Sequence, residues 1–179
     1  MANRTDISRS SRDARGIIVG GGLAGIIAGI AMAIFAMGYA GTMGMGFWAP
    51  LRLIAATLYG VDALIGGGGV LLVGLIIHLI VSAVFGIIFG ALLSSRASGG
   101  AAFGAGLVFG VLVWAVMRWG VVPWADPTMA VRLPMMSGAF FFEHLVFGGI
   151  LGITPGLVRR CSAVRPVAEV RPYPERRVA

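Results

Sequence analysis

The chain of 179 residues has no lysine, one cysteine and two histidines, and only 12% of its residues are charged. The single cysteine, Cys161, excludes an intrachain disulfide and any metal or cluster site built from several cysteines. So few charges cannot cover the surface of a soluble domain of this size. A Walker loop, a nucleophile elbow and an HExxH motif are also missing from the sequence. These absences argue against a soluble protein and against an enzyme.

What the sequence has instead is long apolar runs. Hydrophobic residues make up 58% of the chain, and the mean hydropathy is +0.94. Residues 16–51 contain no charged side chain, although roughly 20 apolar residues are enough to cross a bilayer. The sequence therefore predicts an all-α integral membrane protein with four transmembrane helices. Their predicted ranges are about 17–39, 70–92, 100–119 and 137–157.

Arginine placement predicts the orientation. All 14 basic residues are arginines, and the formal net charge is +7. With four spans, the tails 1–16 and 158–179 and the turn near Arg96 lie on one side. That side holds eleven arginines, against three on the other side, at Arg52, Arg118 and Arg132. The positive-inside rule then places both termini in the cytoplasm of a bacterial inner membrane, with lipid headgroups rather than nucleic acid as partners of the basic tails.

The connection after the first span is predicted to contain a short helix over residues 50–65. Pro50 favours a helix start. Apolar residues recur at helical spacing, and polar residues fall on the opposite side. The apolar positions are Leu51, Ile54, Leu58, Val61 and Ile65, and the polar ones are Arg52, Tyr59 and Asp62. We expect an amphipathic helix that lies in the outer interface or covers the bundle.

Glycine is spaced at four-residue intervals on all four predicted spans. Such stripes let helix backbones approach closely in lipid, where little hydrophobic force acts between helices. The stripes serve packing within this chain, or they form a surface shared with other membrane subunits or a second copy. The packing positions are Gly21, Gly25, Gly29, Gly86, Gly90, Gly106, Gly110, Gly148 and Gly152.

Ionisable side chains are rare in the spans. His78, with Ser82 one turn further along, lies in the second span, and Glu143 and His144 lie in the fourth. The helical rise places both histidines about 10–13 Å below the outer surface. Three interpretations remain open. The first is a hydrogen-bonded clasp that fixes helix register, and the second is a proton-responsive site. The third is a ligand site, in which the two histidines bind haem axially or bind a metal together with Glu143.

Two charged residues nearer the outer surface are candidate partners of this cluster. Arg118 lies near the outer end of the third span, and Asp62 lies in the outer connection. A long arginine side chain can reach inward toward Glu143, or it can end the helix at the headgroups. Asp62 either joins the cluster or faces water.

Two short motifs carry a family resemblance. The second span reads His78-Leu-Ile-Val-Ser-Ala-Val-Phe-Gly86, and the fourth reads Glu143-His-Leu-Val-Phe-Gly148. With the four-span layout and the proline-containing outer connection, they resemble the YagU-type small inner-membrane proteins of bacteria. The resemblance covers about 17–157 and excludes the tails. It implies an inner-membrane location and no particular chemistry, because the activity of that family is not established.

Three functions follow as hypotheses. The first is a non-enzymatic accessory or structural subunit, without cofactor, that packs against partners in a larger membrane complex; it is motivated by the glycine stripes and the lack of a soluble domain. The second is a small proton-linked transporter or permeability factor that uses His78, Glu143 and His144. The third is a redox subunit that binds haem b between two histidines.

Overall fold

The computed structural model describes residues 14–163, and all of the regular structure in that range is helical. The helices are α1 (Ala14–Thr42), α2 (Ala49–Tyr59), α3 (Gly68–Leu92), α4 (Gly99–Ala125), α5 (Ser137–Leu151) and α6 (Thr154–Ala163). Most of the predicted tails, at 1–13 and 164–179, lies outside the described residues.

Four helical segments are long and apolar enough to cross a membrane. They are α1, α3, α4 and the segment Leu133–Ala163, which contains α5 and α6. The prediction of four such helices in an all-α chain is confirmed. The helices extend beyond several predicted ends, since α4 continues to Ala125 rather than residue 119 and the last segment to Ala163 rather than residue 157.

Proline explains two irregularities in these helices. Pro123 lies inside α4 and has no N–H to donate, and the preceding turn, Met117–Val121, widens to a π-helix. Pro155 also lacks an N–H, and the helix is interrupted at Gly152 and Ile153, between α5 and α6. The hydroxyl of Thr154 donates to the Leu151 carbonyl at 2.6 Å, which replaces the bond that Pro155 cannot make. The predicted fourth span, about 137–157, includes this interruption.

The helices form a bundle with α1 and α5 at its centre. α1 packs against α3 and α5, and α5 packs against α4. α3 and α4 make few direct contacts and meet through Phe85, Phe89 and Phe109, whose rings pack at centroid distances of 5.2–6.3 Å. α2 and the 126–136 connection lie together at one end, hereafter the α2 end. The start of α1, the α3–α4 turn and α6 lie at the other, hereafter the terminal end.

The first connection contains a helix, but the residues that it buries are only partly the predicted ones. α2 ends at Tyr59, because Gly60 takes a positive φ of 58°, and a 3-10 helix, Gly60–Ile65, follows. Leu58 and Ile65, which we predicted on the apolar face, are 66% and 87% exposed. Leu51 of the predicted apolar face is buried, and the other buried residues of α2 are Leu53, Ala55 and Ala56. α2 packs through this face on α3, where Gly74 leaves room for the Leu51 carbonyl.

All nine predicted packing glycines face helices of the same chain. Gly21, Gly25 and Gly29 contact α3 at Ser82 and Gly86, so that a Cβ added at Gly25 would overlap the Ser82 carbonyl. The other seam joins α4 and α5: Gly106 and Gly110 contact Gly148 and the His144 carbonyl, and Gly152 lies against the backbone of Phe103. Gly90 contacts Thr154 of α6 and Gly21 of α1. These stripes therefore serve intramolecular packing.

Candidate functional site

A cavity of about 200 Å³ lies at the α2 end of the bundle. Residues of α1 to α5 and of the 126–136 connection line it. Most of the lining is apolar. The carboxyl and imidazole side chains in it are those of His78, Asp126, Glu143 and His144. The cavity therefore brings together three of the four residues predicted as a polar cluster.

His78 joins α3 to α1. Its Nε2 lies 2.9 Å from the Gly29 carbonyl oxygen. A carbonyl can only accept, so this nitrogen carries the hydrogen and donates it. In the neutral ring, Nδ1 is then an acceptor, and no second hydrogen bond of this ring is present among residues 14–163.

His144 bonds within its own helix and presents the other nitrogen. Its Nδ1 donates to the Phe140 carbonyl at 2.6 Å, and the Phe140 ring packs edge-on against the imidazole at 4.5 Å between centroids. Nε2 of the neutral ring is the acceptor. Both histidines thus bond to backbone carbonyls, and each keeps one ring nitrogen with no recorded partner in the described part of the chain.

Glu143 has no partner at all within residues 14–163. Its side chain is only 9% exposed, it lines the cavity, and it makes neither a hydrogen bond nor an ion pair there. Buried polar groups in proteins are normally hydrogen-bonded, because leaving a polar group unsatisfied in an apolar environment costs free energy. Glu143 is therefore a candidate site residue, with a carboxyl group that lines the cavity and has no protein partner in the described residues.

The remaining members of the predicted cluster lie elsewhere. Ser82 is buried in the seam between α3 and α1, beside Gly29, and does not line the cavity. Arg118 lies outside the lining and forms no ion pair with Glu143. Asp62 is exposed in the 3-10 helix after α2. His78 on α3 and Glu143 and His144 on α5 thus share one cavity, whereas Arg118 and Asp62 lie outside it, in line with the alternatives of a headgroup contact and exposure to water.

Asp126 is the site residue that sequence reasoning missed. It is 3% exposed and lines the cavity. Its Oδ1 accepts from the Met129 backbone N–H at 2.8 Å, and its Oδ2 accepts from the Thr57 hydroxyl at 3.2 Å. An Asp followed by Pro is a helix-start signal, so the sequence could have suggested the N-cap bond with Met129. The bond with Thr57 is visible only from the packing of α2.

Burial raises the pKa of Asp126 above its ordinary value of 3.8. The hydrogen bonds from Met129 and Thr57 and the nearby Arg132 offset part of this effect. Arg132 itself donates to the Thr128 carbonyl at 2.7 Å. Asp126 therefore differs from Glu143 in having protein groups that contact and stabilise its carboxylate.

Methionine is concentrated in the cavity wall. Five of the nine methionines line it, namely Met32, Met45, Met117, Met129 and Met136. Methionine is flexible and polarisable, and it is favoured where a surface must adapt to different apolar shapes. The wall is therefore suited to an apolar body of variable shape.

The geometry offers little support for haem between the two histidines. The Nε2 of His78 is engaged by Gly29, which leaves only Nδ1 for a metal. The cavity is also smaller than the roughly 300–1,000 Å³ of pockets that hold drug-sized ligands. Within residues 14–163, no three His, Cys, Asp or Glu side chains are grouped so that they could hold a metal ion.

No protein-family model, curated protein or solved structure matches this chain. The resemblance to YagU-type proteins therefore stays a prediction from the two motifs.

Proposed function

We propose that this protein is a small, non-enzymatic, proton-linked transporter or permeability factor whose site is the cavity at the α2 end. The observation that carries the proposal is Glu143, a buried carboxyl group without a partner in the described residues, which shares a cavity with two imidazoles. Ionisable side chains at membrane depth typically belong to proton or substrate pathways.

The broken fourth span supports transport as well. α5 and α6 are separated at Gly152 and Ile153, and α6 packs against the first turns of α1, where Gly20 contacts Val158. Ile17–Gly21 is itself a π-helix. Two irregular helical segments therefore meet at the terminal end, opposite the cavity. Irregular turns within helices are frequent at functional sites, and we place the opening of the pathway at this junction.

The proposed setting is a bacterial inner membrane, with the terminal end in the cytoplasm and the cavity toward the outside. The excess of arginines on the terminal side supports this orientation. The accessory-subunit function is less well supported, because the glycine stripes that motivated it are occupied within the chain.

The test is proton flux in proteoliposomes that contain an internal pH-sensitive dye. We expect a pH step to equilibrate faster with the wild-type protein than in empty vesicles, and Glu143→Gln to lose that gain. Glutamine keeps the size of the side chain and removes its titratable proton. The matched control is Asp62→Asn, which removes an exposed carboxyl group outside the cavity. Equal rates for the wild type and Glu143→Gln would overturn the proposal.

A further inference from the structure

The cavity has a mostly apolar wall that contains hydrogen-bond acceptors without a partner among the described residues. The acceptors are the Glu143 carboxylate, Nδ1 of neutral His78 and Nε2 of neutral His144. The other nitrogen of each ring donates to a backbone carbonyl. None of the described residues that line the cavity is an arginine, and the chain has no lysine. Among the described residues, the lining therefore supplies no permanently charged cation to neutralise Glu143.

A ligand for this cavity needs donors and a positive charge at one end. A primary ammonium group carries three N–H donors, no acceptor and one positive charge. It therefore complements one carboxylate and two imidazole acceptors. A carboxylic acid or phosphate would place negative charge beside Glu143, and Asp126 would add to the repulsion.

The rest of the ligand has to be small and apolar. An apolar cavity of roughly 150 Å³ holds benzene in another protein. A cavity of about 200 Å³ has room for a benzene ring with a short chain. Phe140, Tyr39 and the five methionines supply aromatic and polarisable surface for it.

We infer that the cavity binds small lipophilic primary amines in their ammonium form, of the size of phenethylamine, with Glu143 as the counter-ion. This inference rests on the proposed function and names its substrate class. It also relates the ligand to the proton: the Glu143 carboxylate is neutralised by either a proton or the ammonium ion. The two therefore compete for Glu143, and a bound amine is expected to slow proton flux through this residue.

The test is equilibrium binding to the full chain in mild detergent, at constant pH, with four probes that share one phenyl body. Phenethylammonium has the charge and the donors, its N,N,N-trimethyl derivative has the charge alone, 2-phenylethanol is neutral, and phenylacetate is an anion. We expect the ammonium ion to bind at least tenfold more tightly than the alcohol, the trimethyl derivative to fall between them, and phenylacetate not to bind.

Two variants assign the binding to the cavity. Glu143→Gln is expected to weaken phenethylammonium at least tenfold and to leave 2-phenylethanol unchanged. Ala139→Leu, one helical turn before Glu143 and in the lining, is expected to weaken both probes because it fills the cavity. The inference is overturned if the alcohol binds as well as the ammonium ion, or if Glu143→Gln binds the ammonium ion like the wild type.

Proton flux separates this inference from the proposed function. Flux that depends on Glu143 without preference for the ammonium probe would overturn the substrate class and leave the function standing. Ammonium binding through Glu143 without proton flux would support the substrate class and overturn proton linkage.

Discussion

The Thr57 hydroxyl donates to Oδ2 of Asp126 at 3.2 Å and thereby joins two connections that are 69 residues apart in the sequence. Thr57 belongs to α2, and Asp126 begins the single-turn helix Pro127–Ala130. Both residues line the cavity. This bond therefore ties together two of the segments that cover the cavity at the α2 end.

Asp126→Ala is expected to lower the stability of the α2 end. The substitution removes the N-cap bond to Met129 and the bond from Thr57, and loss of an N-cap typically costs about 1 kcal/mol. Asp126→Asn keeps the cap acceptor and is expected to stay close to the wild type at low pH. The measurement is the thermal midpoint in detergent. An unchanged midpoint for Asp126→Ala would contradict this role.

The same carboxyl group predicts a pH dependence. Burial raises the pKa of Asp126, so the folded protein holds this proton to a higher pH than the unfolded chain does. The contribution of Asp126 to the stability of the fold is therefore complete below the pKa of the unfolded chain, about 4. It is lost as the pH rises through the pKa of Asp126 in the folded protein. We expect the thermal midpoint of the wild type to fall relative to Asp126→Asn across that interval. Parallel curves for the two proteins would be incompatible with this prediction.

The seam between α4 and α5 predicts a position-specific effect of alanine. A Cβ at Gly106 would overlap the Gly148 carbonyl, whereas Gly104 in the same helix has open space around it. Gly106→Ala is expected to cost about 1–3 kcal/mol through overpacking. Gly104→Ala is the matched control and is expected to have little effect. Thermal midpoints of both variants in one detergent check the contrast, and equal losses would show that the seam is not closely packed.

The break between α5 and α6 predicts a coupled pair of substitutions. Thr154→Val alone leaves the buried Leu151 carbonyl without its hydroxyl partner, at a cost of about 1–3 kcal/mol. Pro155→Ala restores an N–H at that turn, so Thr154→Val is expected to be nearly neutral in its presence. A double-mutant cycle of thermal midpoints measures this coupling, and additive effects would contradict it.

If the break opens the pathway, Pro155→Ala also slows proton flux.

The proposed orientation predicts which residues are reached from outside. In a Cys161→Ser background, Trp124→Cys places a thiol at an 85% exposed position of the α2 end, and Ser94→Cys places one at the terminal end. An impermeant maleimide is expected to label Trp124→Cys in intact spheroplasts, and Ser94→Cys only after permeabilisation. The reverse pattern would place both termini outside.

Parts of the site followed from periodicity. His78 on α3 and the pair Glu143 and His144 on α5 were placed at similar depth by the 1.5 Å helical rise, and all three line one cavity. Periodicity does not specify partners, however. It could not show that His78 bonds to the Gly29 carbonyl, that Glu143 has no partner in residues 14–163, or that Arg118 lies outside the lining.

The amino-acid sequence by itself determined the four apolar helices and their glycine stripes, because hydropathy and small-residue spacing are local properties of the chain. Only the tertiary structure decided which helices those stripes join, which face of α2 is buried and where the cavity lies. Each of these depends on the rotation and crossing of helices that are distant in sequence. Asp126 illustrates the difference: its cap on Met129 is local, whereas its bond with Thr57 exists only because α2 folds back over the bundle.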